Sequence, residues 1–455
     1  MGLLTTLLNA SQALDVYGQE FNTIQNNIAN QNTPGYAEQS VTLVADSFNP
    51  SEALYGGIST GPMDSTRSPY LEQAVQTQTT LLGTAEQQVS DLTPLQSMFD
   101  LSSTTGISGS LDSFFNSASA LSVSPNDAVA RQNVITQAQT VATSFNQAAS
   151  GISTASGNIE QETSDSLASI NQIAGDLASI NNDAGNASGT TDAGLSAQQN
   201  ADLENLSEIA NFTVVPTTNG QINVYLGGQT PLVMGNQAFN VSANFSTPQT
   251  VIQDSVGNNI TSQITGGQLG AQIQENNTTL PGYMSSLNSL AKSFADTVNT
   301  TLSGGVDANG NAPTTNLFTY NSSATAAYTL AVTPGFTGSQ IAAASASSPG
   351  GNGNALALAN LSTASDDNGF TFTEAFGNLG QTVGTDVSTA TNNQTEQQNL
   401  VTQAQAQRAA VSGVSLNTEA AKLLEFQESY TAVAKVVTTL NSLTDALMNM
   451  MPVAT

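Results

Sequence analysis

Three short stretches hold the residue types from which chemistry could be built. Gly57-Ile58-Ser59-Thr60-Gly61 has the spacing of a nucleophile elbow, a strained turn that exposes a serine hydroxyl. That serine needs a base to take its proton, and the 455-residue chain contains no histidine. Ser289-Leu290-Ala291-Lys292 spaces a serine and a lysine as a Ser-Lys hydrolase would, but in a helical pattern and without the Lys-Thr-Gly or Ser-Asp-Asn partners of that chemistry. Asp307-Ala308-Asn309-Gly310-Asn311 begins like a calcium loop, yet lacks the third ligand before the glycine and the late bidentate glutamate. The three are read as a Gly-rich loop, an exposed lysine and a polar turn. No Gly-rich phosphate-binding sequence is present, so no catalytic, cofactor or metal site is expected.

Composition narrows the classes further. Cysteine, histidine and tryptophan are absent, which removes thiolate and imidazole ligands, disulfides and the usual base at neutral pH. Against 34 acidic residues stand 6 basic ones, a net charge of -28, so neither nucleic acid nor an anionic membrane is an expected partner. Only 9% of residues are charged, and the surface must instead be built of Ser, Thr, Asn, Gln and Gly. The first basic residue is Arg67, and the apolar stretch from Gly2 to Leu8 is interrupted by Thr5 and Thr6. If the chain is exported, a route that reads no cleavable signal is therefore expected. With no run of 18 apolar residues, no membrane insertion is expected.

The elements that would position any function are clearest at the two ends. Leu3, Leu7, Ala10, Leu14, Tyr17, Phe21, Ile24 and Ile28 alternate steps of four and three, the seam of an amphipathic helix in a coiled-coil-like contact. Asn30-Gln31-Asn32-Thr33-Pro34-Gly35-Tyr36 stops it: the proline disfavours helix at Thr33, and Gly35 is free to take positive φ. Near the other end Leu416, Leu423, Phe426, Tyr430, Val433, Val437, Leu440, Leu447 and Met451 repeat the grid, with Glu419 and Thr444 as polar interruptions. Antiparallel pairing of the two helices is the simplest arrangement. Burial of one such seam does not offset the cost of ordering its backbone, so further burial must come from this chain's core or from neighbouring copies.

Between the ends, helical spacing runs from Leu71 to Phe99 and from Ser124 to Asn182, the second opened by Ser124-Pro125-Asn126-Asp127 as a capping signal and long enough for a break near Gly151 or Gly157. Phe212 to Val215, Gln221 to Leu226 and Leu232 to Met234 read as strands joined by Asn219-Gly220 and Gly227-Gly228 turns. Helix returns at Met284 to Thr301 and from Phe376 to Val411. The expected fold is mainly α with a β-rich insertion: a terminal helical layer (1–45 and 412–455), a helical rod-like middle (46–205, 266–302 and 355–411), and a small β-containing outer part (206–265 and 303–354).

The run from Asn26 through Ala29-Asn30 to Tyr36 resembles the N-terminal signature of the flagellar rod, hook and hook-associated axial proteins, and Gly413 to Tyr430 resembles their C-terminal signature. Gly109 to Phe115, Asn126 to Phe145, Leu280-Pro281-Gly282-Tyr283 and Val306 to Gly310 resemble the middle region of the hook-associated members. Ala37 and Glu38 stand where the family often has a polar residue and a basic one. The resemblance implies a non-enzymatic subunit at the hook-filament junction, exported through the flagellar type III channel. Implied partners are copies of itself, the hook protein, the second junction protein, and an export chaperone on the C-terminal helix. The subunit-interaction residues would be Leu3, Leu7, Leu14, Tyr17, Phe21, Ile24 and Ile28 with Leu423, Phe426, Tyr430, Val433, Val437, Leu440 and Leu447. Asn30, Asn32, Thr33, Pro34, Gly35 and Tyr36 would form the family turn. Another axial subunit of rod or hook type is the alternative, and a secreted adhesin or enzyme a more distant one.

Overall fold

A computed structural model describes residues 3–49, 54–99, 106–186, 192–217 and 220–450; Met451 of the C-terminal seam and Asn219 of the first hairpin turn lie outside them. The fold is mostly helical with small antiparallel sheets. Helix α1 (Leu3–Asn30) leads into a ribbon of β1 (Gln39–Ala45), β2 (Phe48–Asn49), β3 (Leu54–Tyr55) and β4 (Ile58–Ser65), in which β1 pairs with β4 and β2 with β3. Then follow α2 (Pro69–Gln96), α3 (Gly106–Val123), α4 (Ala128–Asn186) and α5 (Ala193–Ile209). A four-stranded meander comprises β5 (Phe212–Pro216), β6 (Ile222–Leu226), β7 (Thr230–Met234) and β8 (Gln237–Ala238), and a hairpin of β9 (Ser242–Asn244) and β10 (Val251–Gln253) succeeds it. The chain closes with α6 (Gly267–Gln274), a π turn at Glu275–Thr279, α7 (Leu280–Ser303), α8 (Ala326–Thr329), α9 (Gly353–Asn360), α10 (Phe372–Ser412) and α11 (Leu416–Met450).

Helix α4 is the spine. Its seam from Val134 to Ile159 is buried with α3, α7, α9 and α10 in one hydrophobic core centred on Phe114, Phe145, Phe294, Phe318 and Phe372. From Leu167 to Ala178 the same helix enters a second core with α5, α6 and the meander. Strand β6 buries Ile222, Val224 and Leu226 there, the alternation of a half-covered sheet, whereas β7 buries the consecutive Leu232 and Val233.

Two local expectations are corrected. Helix α4 runs unbroken through Gly151 and Gly157 for 59 residues. A side chain at 151 would collide with the sulfur of Met98, so this glycine admits a neighbour instead of ending a helix. The helix also starts later than the Ser-Pro signal suggests: Asp127 Oδ1 accepts from the backbone N–H of Val129 at 2.8 Å, making Asp127 the cap while Ser124 sits in the preceding turn.

Candidate functional site: an uncovered helix pair and its neck

The three chemistry-like stretches are each explained locally. Ser59 lies in β4 and donates its hydroxyl to Asp46 Oδ1 at 2.9 Å, so it occupies a hairpin and not a strand-to-helix elbow. Lys292 pairs with Asp296, one turn along α7, at 2.6 Å. Asp307 Oδ1 accepts the backbone N–H groups of Asn309 and Asn311, both at 2.8 Å, an Asx turn complete in itself. Among the described residues no group of three or more acidic side chains is arranged to hold a metal ion.

The terminal helices carry the unusual surface. Asn27 meets Glu419, and further back along α1 Tyr17 and Phe21 meet Phe426 and Tyr430, with ring centroids 5.9 Å and 6.0 Å apart. Because Asn27 lies at the end of α1 and Glu419 at the start of α11, and the ring contacts lie further from that junction on both helices, the pair is antiparallel. Of the predicted seam in α1, Ile24 is buried, while Leu3, Leu7, Leu14, Tyr17, Phe21 and Ile28 are half-buried. On α11, Leu423, Phe426, Val433, Val437 and Leu440 are half-buried, and Tyr430 and Leu447 are exposed. Over its 35 residues α11 buries one side chain, Glu419, and it is polar. Leu424, Leu443, Leu447 and Met448 stand 50% exposed or more. An apolar stripe this long and this bare is uncommon on a surface without a partner.

Where the helix pair joins the rod, the turn after α1 is tightly specified. Asn30 accepts the backbone N–H of Thr33 at 2.9 Å, and Thr33 accepts that of Tyr36 at 3.1 Å. Thr33 Oγ1 donates to Asn30 Oδ1 at 3.0 Å, and Asn32 and Pro34 face solvent. Gly35 has φ of 70°, and any Cβ there would strike the carbonyl of Ala197 in α5, so both backbone and space demand glycine.

Asn27, one turn before the end of α1, ties the neck together. Its Nδ2 donates to Gln39 O at 2.9 Å and to Glu419 Oε2 at 3.0 Å, while its Oδ1 accepts from Gln39 N at 3.0 Å and Tyr36 Oη at 2.8 Å. One side chain thus clips α1, the turn, β1 and α11. Lys422 pairs with Glu419 at 2.8 Å and with Glu38 at 2.6 Å. Burial presses the Lys422 ammonium downward, but those two carboxylates outweigh it and hold its pKa above the ordinary value. Burial, aided by Glu419 and Glu38, raises the Tyr36 phenol and keeps it a donor. Glu20 is raised by burial, against the pull of Lys422.

Beside this clip, Arg67 donates to the carbonyl of Gly35 and pairs with Glu72 at 2.7 Å. Arg408 bridges Glu72 at 3.1 Å and Glu204 at 2.8 Å. Backbone bonds from Glu38 N to Ser412 O and from Thr66 N to Glu38 O, both 2.9 Å, join the three chain passages. Half of the chain's six cations, Arg67, Arg408 and Lys422, are spent on this neck. Sequence reasoning placed Asn27 in a motif and Glu419 as an interruption, without seeing that they meet. Glu419, a charged residue interrupting an apolar seam, was the available signal.

Comparison with known proteins agrees with this architecture. The family model described as the helical domain of flagellar hook-associated protein FlgK matches residues 92–318, and that of the C-terminal part of the flagellar basal body rod FlgEFG proteins matches residues 405–450. Flagellar hook-associated protein 1 of Bacillus subtilis is 26% identical over 231 residues, 48% of this chain and 45% of the relative. Its counterpart in Salmonella typhimurium is 27% identical over 321 residues, 67% of this chain and 56% of the relative, and that of Escherichia coli is 24% identical over 322 residues, 67% and 58%. The matched region thus spans about half the length of these relatives. The structure of the flagellar hook junction protein FlgK from Burkholderia pseudomallei superposes with a TM-score of 0.65 at 18% identity, covering 74% of this chain and all of that one, which establishes a shared fold.

Proposed function

Because the chain belongs to the flagellar hook-associated protein family, we propose that it is a non-enzymatic structural subunit of the bacterial flagellum, placed at the junction between hook and filament. The observation that carries this reading is α11, on which Leu424, Leu443, Leu447 and Met448 stand largely uncovered among the described residues. Copies of the chain, packed side by side, would bury Leu424, Leu443, Leu447 and Met448 against neighbouring terminal helices and supply the burial that one helix pair lacks. In this reading residues 1–45 and 412–455 form the polymerising layer, and the rod and outer part project from it. The hook protein on one side and the second junction protein on the other are its axial partners.

Before assembly α11 needs protection as well, and an export chaperone covering Leu423, Phe426, Tyr430, Val433, Val437 and Leu440 would supply it. Export through the type III channel is part of this reading. The double substitution Phe426→Asp and Val433→Asp tests both roles at once: chaperone binding and junction assembly are expected to be lost, and undiminished activity in both assays overturns the proposal. A deletion strain separates the junction from the rod and hook alternatives. Finished hooks without filaments, with flagellin lost to the medium, are the expected result, whereas an earlier arrest would assign the chain to rod or hook.

A further inference from the structure

We propose that the seam between the two hydrophobic cores of the rod is a proton-controlled joint, in which Asp91 and Glu275 must be neutral for the cores to stay locked together. The placement is the first argument. On α4 the first core ends at Ile159 and the second begins at Leu167, and Glu162 and Thr163 lie between them. Between Ile273 of the second core and Leu280 of the first, the chain forms the π turn that starts at Glu275. On α2, Asp91 immediately precedes Leu92 of the first core. Three elements thus bring polar groups to one level, and the π turn at that level is a local departure from α-helix of the kind frequent at functional sites.

The second argument is what these groups touch. Asp91 is 7% exposed and Glu275 2%. Gln87 Nε2 donates to Asp91 Oδ1 at 2.8 Å and to Glu162 Oε2 at 2.6 Å, but Asp91 Oδ2, Glu275 Oε2, Thr163 Oγ1 and Gln272 Oε1 are buried with no hydrogen-bond partner among the described residues. Facing the seam are Glu162 and Asp165 from α4, Gln268 and Gln272 from α6, Tyr283 from α7 and Asp386 from α10. Tyr283 Oη donates to Asp386 Oδ2 at 2.5 Å, so it offers no proton to Glu275. No lysine or arginine is bonded to either carboxyl among the described residues. Two buried carboxylates without a cation repel each other and lose hydration, which favours the neutral acids.

Burial accordingly pushes Asp91 up to about 8, helped by Glu162 and Glu275, and pushes Glu275 up to about 7. A raised carboxyl pKa means that the folded chain holds a proton which the unfolded chain releases. The stabilisation is therefore complete below the ordinary carboxylate range and is lost as pH climbs through those two values.

Amide exchange on the full-length chain tests the joint. After correction for the intrinsic rate, segments 86–95 and 270–280 are expected to lose at least about tenfold in protection between about pH 6.5 and about pH 9, the change for about one unit of pKa difference. Segments 111–121 and 222–233, inside the two cores, are expected to keep theirs. The variant carrying Asp91→Asn and Glu275→Gln is expected to show no such loss. Equal protection at both pH values, or the same loss in that variant, overturns the proposal. If the variant does not fold, infrared spectra of the native chain decide: a neutral carboxylic-acid band present at about pH 6.5 and gone by about pH 9 supports the joint, and its absence at the lower pH refutes it.

Discussion

Helices α4 and α11 are both long and both carry apolar side chains at helical spacing, yet they end in opposite conditions. In α4 the seam from Val134 to Ala178 is consumed by two cores of the same chain. In α11 the corresponding stripe leaves Leu443, Leu447 and Met448 in solvent, and the residue that becomes buried is Glu419. The difference teaches that periodicity measures a helix's capacity to bury a face, and says nothing about whether the partner belongs to the same molecule. The rod is self-sufficient in burial; the terminal pair is not.

The comparison can be broken most directly at its strongest point. Phe294 is fully buried among Phe114, Phe115, Phe145, Phe318 and Phe372, so Phe294→Ala should cost the rod about 3 to 5 kcal/mol in chemical denaturation. Phe426→Ala, which loses a half-covered ring against Tyr17, should leave the same transition within about 1 kcal/mol. Equal losses would mean that the terminal pair belongs to the cooperative core.

Amide exchange in a verified monomer sharpens the contrast next. Residues 134–159 of α4 should exchange at least about a hundredfold more slowly than residues 3–28 of α1, because few apolar contacts hold the terminal pair closed. Strong protection of residues 3–28 would contradict a pair that orders fully only on assembly. At the neck, Asn27→Ala removes four hydrogen bonds and strands Gln39 N and one oxygen of the buried Glu419. A loss of about 2 kcal/mol is expected, read as increased exchange in residues 20–30 and 416–424 while the rod is unchanged. The smallest effect belongs to Leu447→Ser: within about 0.5 kcal/mol on the monomer, yet a measurable defect in assembly if its exposed side chain meets a neighbouring copy.

Much of the fold was legible from the residues because its causes are local. The three-and-four spacing of α1 and α11, the β-branched runs of β5 to β7 and the Pro34-Gly35 stop each act within a few residues. What escaped has distant causes. The buried face of α1 runs through Val16, Glu20, Thr23, Ile24 and Asn27, rotated from the most apolar stripe, because the β ribbon packs against α1 as well as α11. Gly151 reads as a helix breaker until Met98 is seen against it. Glu72 has no evident role until Arg67 and Arg408 converge on it, the second from 336 residues away.

By itself, then, the sequence determined the elements, their order and the absence of histidine and cysteine, since periodicity, turn sterics and composition need no knowledge of contacts. Tertiary structure alone decided that three of six cations gather at one neck, that Asn27 clips four segments and that Asp91 and Glu275 face one seam. It also decided which apolar stripes stay uncovered. Those outcomes depend on which surfaces meet, and the meeting partners lie too far apart along the chain for any local pattern to record them.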